Sequence, residues 1–138
     1  MTQKYETPQQ AEDAFYDALD EGDPGKLLTV WADSDDISCL LPMQTLVHGR
    51  KNVTDLFTHV LSRGRSVSLA VKHIGWIETG DIAIHQVEES LQASSSGGPA
   101  QPPLYGINIY RKDAGSWRLI VHMNSPTAPP PPEFEMPG

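Results

Sequence analysis

The side chains best suited to moving a proton are His122 and one of the neighbouring pair Glu88-Glu89. Imidazole titrates near neutrality and can give or take a proton, so a histidine in an apolar pocket serves as a general base or as a hydrogen-bond anchor. Adjacent residues on a strand point to opposite faces, so only one of Glu88 and Glu89 can share a pocket with it. A carboxylate in such a pocket has its pKa raised and can pair with His122 as acid and base. The alternative for His122 is a structural histidine satisfied by a backbone carbonyl or by Asn124, and for the glutamates a solvated strand end.

Other chemistry finds less support. His48, His59 and His73 show no HxH or HxxxH spacing and Cys39 has no partner thiol, so a metal site would need long-range assembly. No metal and no cofactor are expected. Cys39 reads as a buried small residue, and Asp33, Asp35 and Asp36 as a solvated turn lacking the glycine and closing glutamate of a calcium loop.

The elements that must position these groups fall into two periods. Thr7 and Gln10 have capping-box spacing, Pro8 occupies the first helical position and Gly22 follows the last periodic residue, which predicts a helix over Pro8 to Glu21. Its apolar stripe is Ala11, Ala14, Phe15, Ala18 and Leu19, with Glu12, Asp13, Asp17 and Asp20 expected in water. Asp23-Pro24 opens a short second helix carrying Leu27, Leu28, Val30 and Trp31, and a third is predicted over Lys51 to Arg63. From Val67 the period becomes two: strands are expected at Val67 to Ile77, Ile82 to Ala93, Leu104 to Arg111 and Trp117 to Asn124, with earlier ones at Ile37 to Leu41 and Leu46 to His48. The order α-α-β-β-α-β-β-β-β means an α+β fold in which helices cover one face of an antiparallel sheet.

With 138 residues the chain is the size of one domain. Its net charge of −8 has the wrong sign for phosphate backbones or anionic lipid surfaces, so no nucleic acid and no membrane partner is expected. One cysteine excludes an intrachain disulfide, and the lack of a leader pattern or spanning segment suggests a cytoplasmic protein. Residues 1–126 are expected to form the domain. Pro- and Gly-rich stretches mark a loop about 94–102 and an extended tail at 127–138.

Five stretches, Ala14 to Asp23, Leu28 to Asp33, Val47-His-Gly-Arg50, Glu88-Glu89 and Trp117 to Pro126, resemble the nuclear transport factor 2-like superfamily, which includes ketosteroid isomerase, scytalone dehydratase and SnoaL-like cyclases. The resemblance covers about residues 8 to 126. It implies a cone: a curved antiparallel sheet wrapped around a long helix, a pocket between them, and a homodimer through sheet surfaces. The places that carry catalysis in ketosteroid isomerases hold Phe15, Leu41 and Ile107 here, none an acid or a hydroxyl, and Tyr16 is expected beside the polar helix face.

Carrying the match onto the closing strand puts Ile120, His122 and Asn124 on the pocket side, with Trp117, Leu119, Val121 and Met123 opposite. It favours Glu88 over Glu89, in phase with Ile82, Ile84 and Gln86, leaving His85 and Glu89 outside. The implied pocket groups Phe15, Trp31, Leu41, Leu56, Ile107 and Ile120 around His122 and Asn124. The leading functional expectation is binding of a small, mostly apolar molecule. The alternatives are a cofactor-independent isomerase, dehydratase or cyclase working through His122 with Glu88, and a dimerisation module.

Overall fold

Helix α1 (Pro8–Glu21) begins and ends where its caps require. The Thr7 hydroxyl accepts the Gln10 amide at 3.1 Å, and Gly22 closes the helix in the left-handed region at φ 68°. A side chain at Gly22 would also press on the carbonyl of Arg65, 2.6 Å from where its Cβ would lie. Helix α2 (Pro24–Val30) is capped by the Asp23 carboxylate, which accepts the Lys26 amide. Helix α3 (Arg50–Val60) is shorter than its apolar pattern suggests: a 3-10 turn at Ser62–Gly64 takes over, with Arg63 at φ 59°. Arg50 donates to the carbonyls of Leu28, Trp31 and Ala32, filling acceptors left free at the end of α2 and tying α3 to it.

In the computed structural model, residues 3–91 and 102–127 are described. The predicted loop about 94–102 and tail 127–138 therefore lie outside the described residues except at Pro102 and Thr127. The strands are β1 (Ser38–Leu40), β2 (Val47–His48), β3 (Leu69–Thr79), β4 (Ile82–Leu91), β5 (Leu104–Asp113) and β6 (Ser116–Thr127). They form one sheet in the order β2-β1-β6-β5-β4-β3, antiparallel except that β1 runs parallel to β6. The three helices and the curved six-stranded sheet make the α+β fold expected from the order of periods.

The core lies between α1 and the sheet. Phe15 is fully buried and meets Phe57 edge-to-face at 6.1 Å and Trp31 at 6.4 Å. The inner face of the sheet is unusually polar: beside Ala83, Val87, Tyr110, Trp117 and Leu119 it buries His85, Glu89, Asn108, His122 and Asn124. Two of the three register steps among the described residues of the sheet set which residues of β3 and β6 face inward. In β3 the register steps at Ile74, so His73 and Trp76 stand opposite the inward Val87 and His85. In β6 it steps at Ile120, between the pairs Ile109 with Val121 and Tyr110 with Leu119. Strict alternation places Trp117 and Leu119 outside, yet the bulge turns them inward on the same face as His122 and Asn124.

Candidate active site

A cavity of about 410 Å³ opens beside the buried polar residues. Leu19 of α1, Phe57 and Val60 of α3, Leu41, Pro42 and Met43 of the β1–β2 connection, Val67 of the segment before β3, and Leu69, Leu91 and Leu104 of the sheet supply apolar walls. Glu89, His122 and Asn124 are its polar lining. A second hollow of about 680 Å³, lined by Lys4, Asp13, Asp17 and Lys26 among others, lies beside the N-terminal segment and does not reach these residues.

The polar groups close into a ring. Asn124 Nδ2 donates to Glu89 Oε1 at 2.8 Å, and the Tyr16 hydroxyl donates to Glu89 Oε2 at 2.6 Å. Asn108 Nδ2 donates to the Tyr16 oxygen at 2.9 Å. The remaining oxygens, Asn108 Oδ1 and Asn124 Oδ1, face His122 Nδ1 at 2.5 Å and Nε2 at 2.8 Å. Donor directions follow from proton counting. Tyr16 has one proton, spent on Glu89, so Asn108 must turn its amide nitrogen to Tyr16 and its oxygen to His122. Asn124 is oriented likewise by Glu89 and by the Tyr105 carbonyl. Each His122 nitrogen is thus held by one amide oxygen, and each Glu89 oxygen accepts one hydrogen bond. His122 is 2% exposed and Glu89 3%, with His122 Nε2 3.9 Å from Glu89 Oε2, and the two are joined through the buried amides of Asn108 and Asn124.

Electrostatics around the ring follow from burial. Burial, then the Glu89 charge and hydrogen bond, push the Tyr16 phenol far above the ordinary tyrosine range, which keeps it a donor. Burial and the same carboxylate push the Cys39 thiol up, so the lone cysteine is no nucleophile at neutral pH. Glu89 carries further lone pairs on each oxygen, so it can accept a hydroxyl from a bound molecule without releasing a partner. His122 has no free nitrogen to offer.

Of the residues expected at the pocket, Leu41, His122 and Asn124 line the cavity. Phe15 and Trp31 belong to the core behind it, Phe15 packing 5.1 Å from the His122 ring, and Leu56 and Ile120 are half-buried against that core. Three expectations are corrected. Glu88 is on the outer face and Glu89 within, because β4 buries Ala83, His85, Val87 and Glu89 while Ile82 and Ile84 face outward. Ile107 is 40% exposed on the outer face, and its neighbour Asn108 points inward. Glu12 and Tyr16, assigned to or beside the watery face of α1, are covered by β3, β4 and β5. Tyr16 and Asn108 were the residues missed. The available signal was that Glu12 and Tyr16 are one turn apart, flanking the buried Phe15.

Comparison with known proteins fits this architecture. The family model described as SnoaL-like domain matches residues 9–129. A structure from Thiobacillus denitrificans, provisionally named a calcium/calmodulin-dependent protein kinase type II association domain, is 30% identical with a TM-score of 0.82, covering 90% of this chain and 98% of that one. A Streptomyces avermitilis protein provisionally named a dehydratase of the NTF2-like family is 24% identical with a TM-score of 0.74, over 88% and 94%. A Nostoc punctiforme protein of unknown function with a cystatin-like fold is 16% identical with a TM-score of 0.68, over 84% and 85%. No curated protein matches the chain.

Proposed function

The chain belongs to the SnoaL-like domain family of the NTF2-like superfamily, and from that membership we propose that its cavity binds a small, mostly apolar molecule carrying one hydroxyl group. The observation that carries this reading is the 410 Å³ apolar cavity with Glu89, His122 and Asn124 gathered in its wall. Its size is that of pockets for small organic ligands, and a few convergent polar groups in an apolar wall fix orientation. Glu89 is the anchor, because it lines the cavity and each of its two oxygens keeps an unused lone pair. Titration with 2-naphthol, an apolar body with one hydroxyl, tests the reading. Binding is expected, and Glu89→Gln should weaken it while circular dichroism stays native. Undiminished affinity in the variant contradicts the anchor assignment.

A second reading is favoured by the coupling of Glu89 to His122 through Asn124. A buried carboxylate facing an apolar cavity can take a proton from a C–H next to a carbonyl, leaving an enolate that regains a proton from the same acid. This is the chemistry of a cofactor-independent isomerase, with Glu89 as the base in place of Glu88 and His122 as a positioning residue. Its enolate-forming half is also the first step of a dehydratase, whose enolate expels a β-hydroxyl as water, or of a cyclase, whose enolate carbon attacks a second carbonyl. Exchange of the α-protons of 2-tetralone in heavy water measures it. Exchange above the buffer rate that is lost in Glu89→Gln supports catalysis, and exchange at the buffer rate leaves binding alone.

The chain also reads as a homodimer. The outer sheet face aligns Ile77, Ile84, Ile109 and Val121 across four strands, with Ile107 beside Met123. An open antiparallel sheet normally turns polar residues outward, so this row suits a second copy. The association domain from Thiobacillus denitrificans makes pure assembly a rival reading, which a polar-lined cavity does not require.

A further inference from the structure

A second buried carboxylate lies away from the cavity without a lysine or arginine at hand. Glu12, one turn before Tyr16 on α1, is 2% exposed. Its Oε1 meets His73 Nε2 at 2.5 Å and its Oε2 meets His85 Nδ1 at 2.6 Å. The Tyr110 hydroxyl and Gln9 Nε2 reach it more loosely, both at 3.4 Å. Buried charges are paired or bind metal, and the partners within reach of this one are two imidazoles and two neutral donors.

The imidazoles are placed there by the sheet. The bulge at Ile74 lets His73 face inward on edge strand β3, and His85 comes from the inward phase of β4. The donor atoms of Glu12, His73 and His85 lie within 4.8 Å of one another, the one such cluster among the described residues. Two imidazoles and a carboxylate suit borderline divalent ions, which hold such donors at about 2.0–2.2 Å, whereas calcium and magnesium prefer all-oxygen sets. His85 is preset: its Nδ1 is fixed on Glu12, its ring lies 3.7 Å from that of Trp76, and its buried Nε2 has no hydrogen-bond partner. The side chain of His73 is 34% exposed and Trp76 is also partly open, which gives an ion a path from solvent.

We propose that Glu12, His73 and His85 form a site for one divalent transition-metal ion of the Zn2+ class, tying edge strand β3 to helix α1. The ion would replace the protons now shared between the carboxylate and the two rings, so its uptake releases protons. The expectation of no metal rested on local spacing, and these ligands come from three elements far apart in the chain.

Untagged protein stripped with chelator is titrated with Co2+ while its visible d–d bands and tryptophan fluorescence are followed, then challenged with Zn2+. One equivalent of Co2+ is expected to bind, to quench Trp76 and to be displaced by Zn2+. Trp76→Phe should keep the Co2+ bands and lose most of the quenching. His73→Gln, on the exposed side of the site, should weaken binding at least about tenfold with its circular dichroism native. Should that variant not fold, Trp76 quenching and its reversal by Zn2+ in the wild type decide the matter. Absence of a stoichiometric Co2+ spectrum overturns the proposal, as does unchanged affinity in folded His73→Gln, which would assign the ion to other histidines.

Discussion

Tyr16 is the side chain whose surroundings make the sharpest statement about pH. Burial and the Glu89 carboxylate hold its pKa above the ordinary value near 10, and Tyr110, buried beside Glu12, is raised well above it too. A group with a raised folded-state pKa binds its proton more tightly in the native state. Its contribution is therefore complete below about pH 10 and is lost as pH rises from there toward the folded value. Stability by urea titration should fall above about pH 10, and Tyr16→Phe should make that fall shallower. At pH 7 the same variant should cost about 1.5–3 kcal/mol, the scale of a hydrogen bond to a charged partner. An alkaline limb unchanged by the substitution would show that Tyr16 does not donate to Glu89. His122→Ala opens the ring and leaves the buried Asn108 and Asn124 oxygens without their partner, so a loss of about 1–3 kcal/mol is expected in the same assay. A loss below about 1 kcal/mol, less than an orphaned buried group costs, would mean that His122 does not hold those amides in place.

At the scale of elements, β5 passes under the ring with no side chain to spare. A Cβ at Gly106 would lie 3.2 Å from both Asn124 Nδ2 and Val87 Cγ2, and 3.5 Å from Glu89 Oε2. Gly106→Ala should thus push the Asn124 amide off Glu89, lowering stability by about 1–3 kcal/mol and weakening 2-naphthol binding. Thermal melts with a parallel titration check both, and unchanged affinity would place the ligand away from Asn124. The existence of each element was legible from the chain, because capping residues, Gly22 and the change of period from about 3.6 to 2 act locally. Strand phase was not. The bulges at Ile74 and Ile120 insert a residue without any local mark, and each reverses the alternation on one side of itself. In β4 the isoleucines Ile82 and Ile84 look like core residues, yet they face outward while Glu89 and His85 are buried. The candidate site was therefore half legible: His122 and Asn124 were placed on the correct side, whereas Glu89, Asn108 and Tyr16 each needed the tertiary register.

For the whole molecule, those outward isoleucines point to assembly. Ile77, 51% exposed, heads a row that continues through Ile84 and Ile109, and Ile107, 40% exposed, lies two residues from Ile109 on the same face of β5. Light scattering should give twice the 15.2 kDa chain mass at micromolar concentration, and Ile107→Glu should shift the particle toward the single chain. A 15.2 kDa particle for the wild type would remove the dimer from the account. The central claim concerns the cavity, and it is tested most directly by comparing the affinities of 2-naphthol and 2-methylnaphthalene by calorimetry. The two share an apolar body and differ by the hydroxyl that would donate to Glu89. The account predicts that the naphthol binds about tenfold more tightly or better, a hydrogen bond to a carboxylate being worth at least about 1.4 kcal/mol. Equal affinities, or no binding of either, would contradict it.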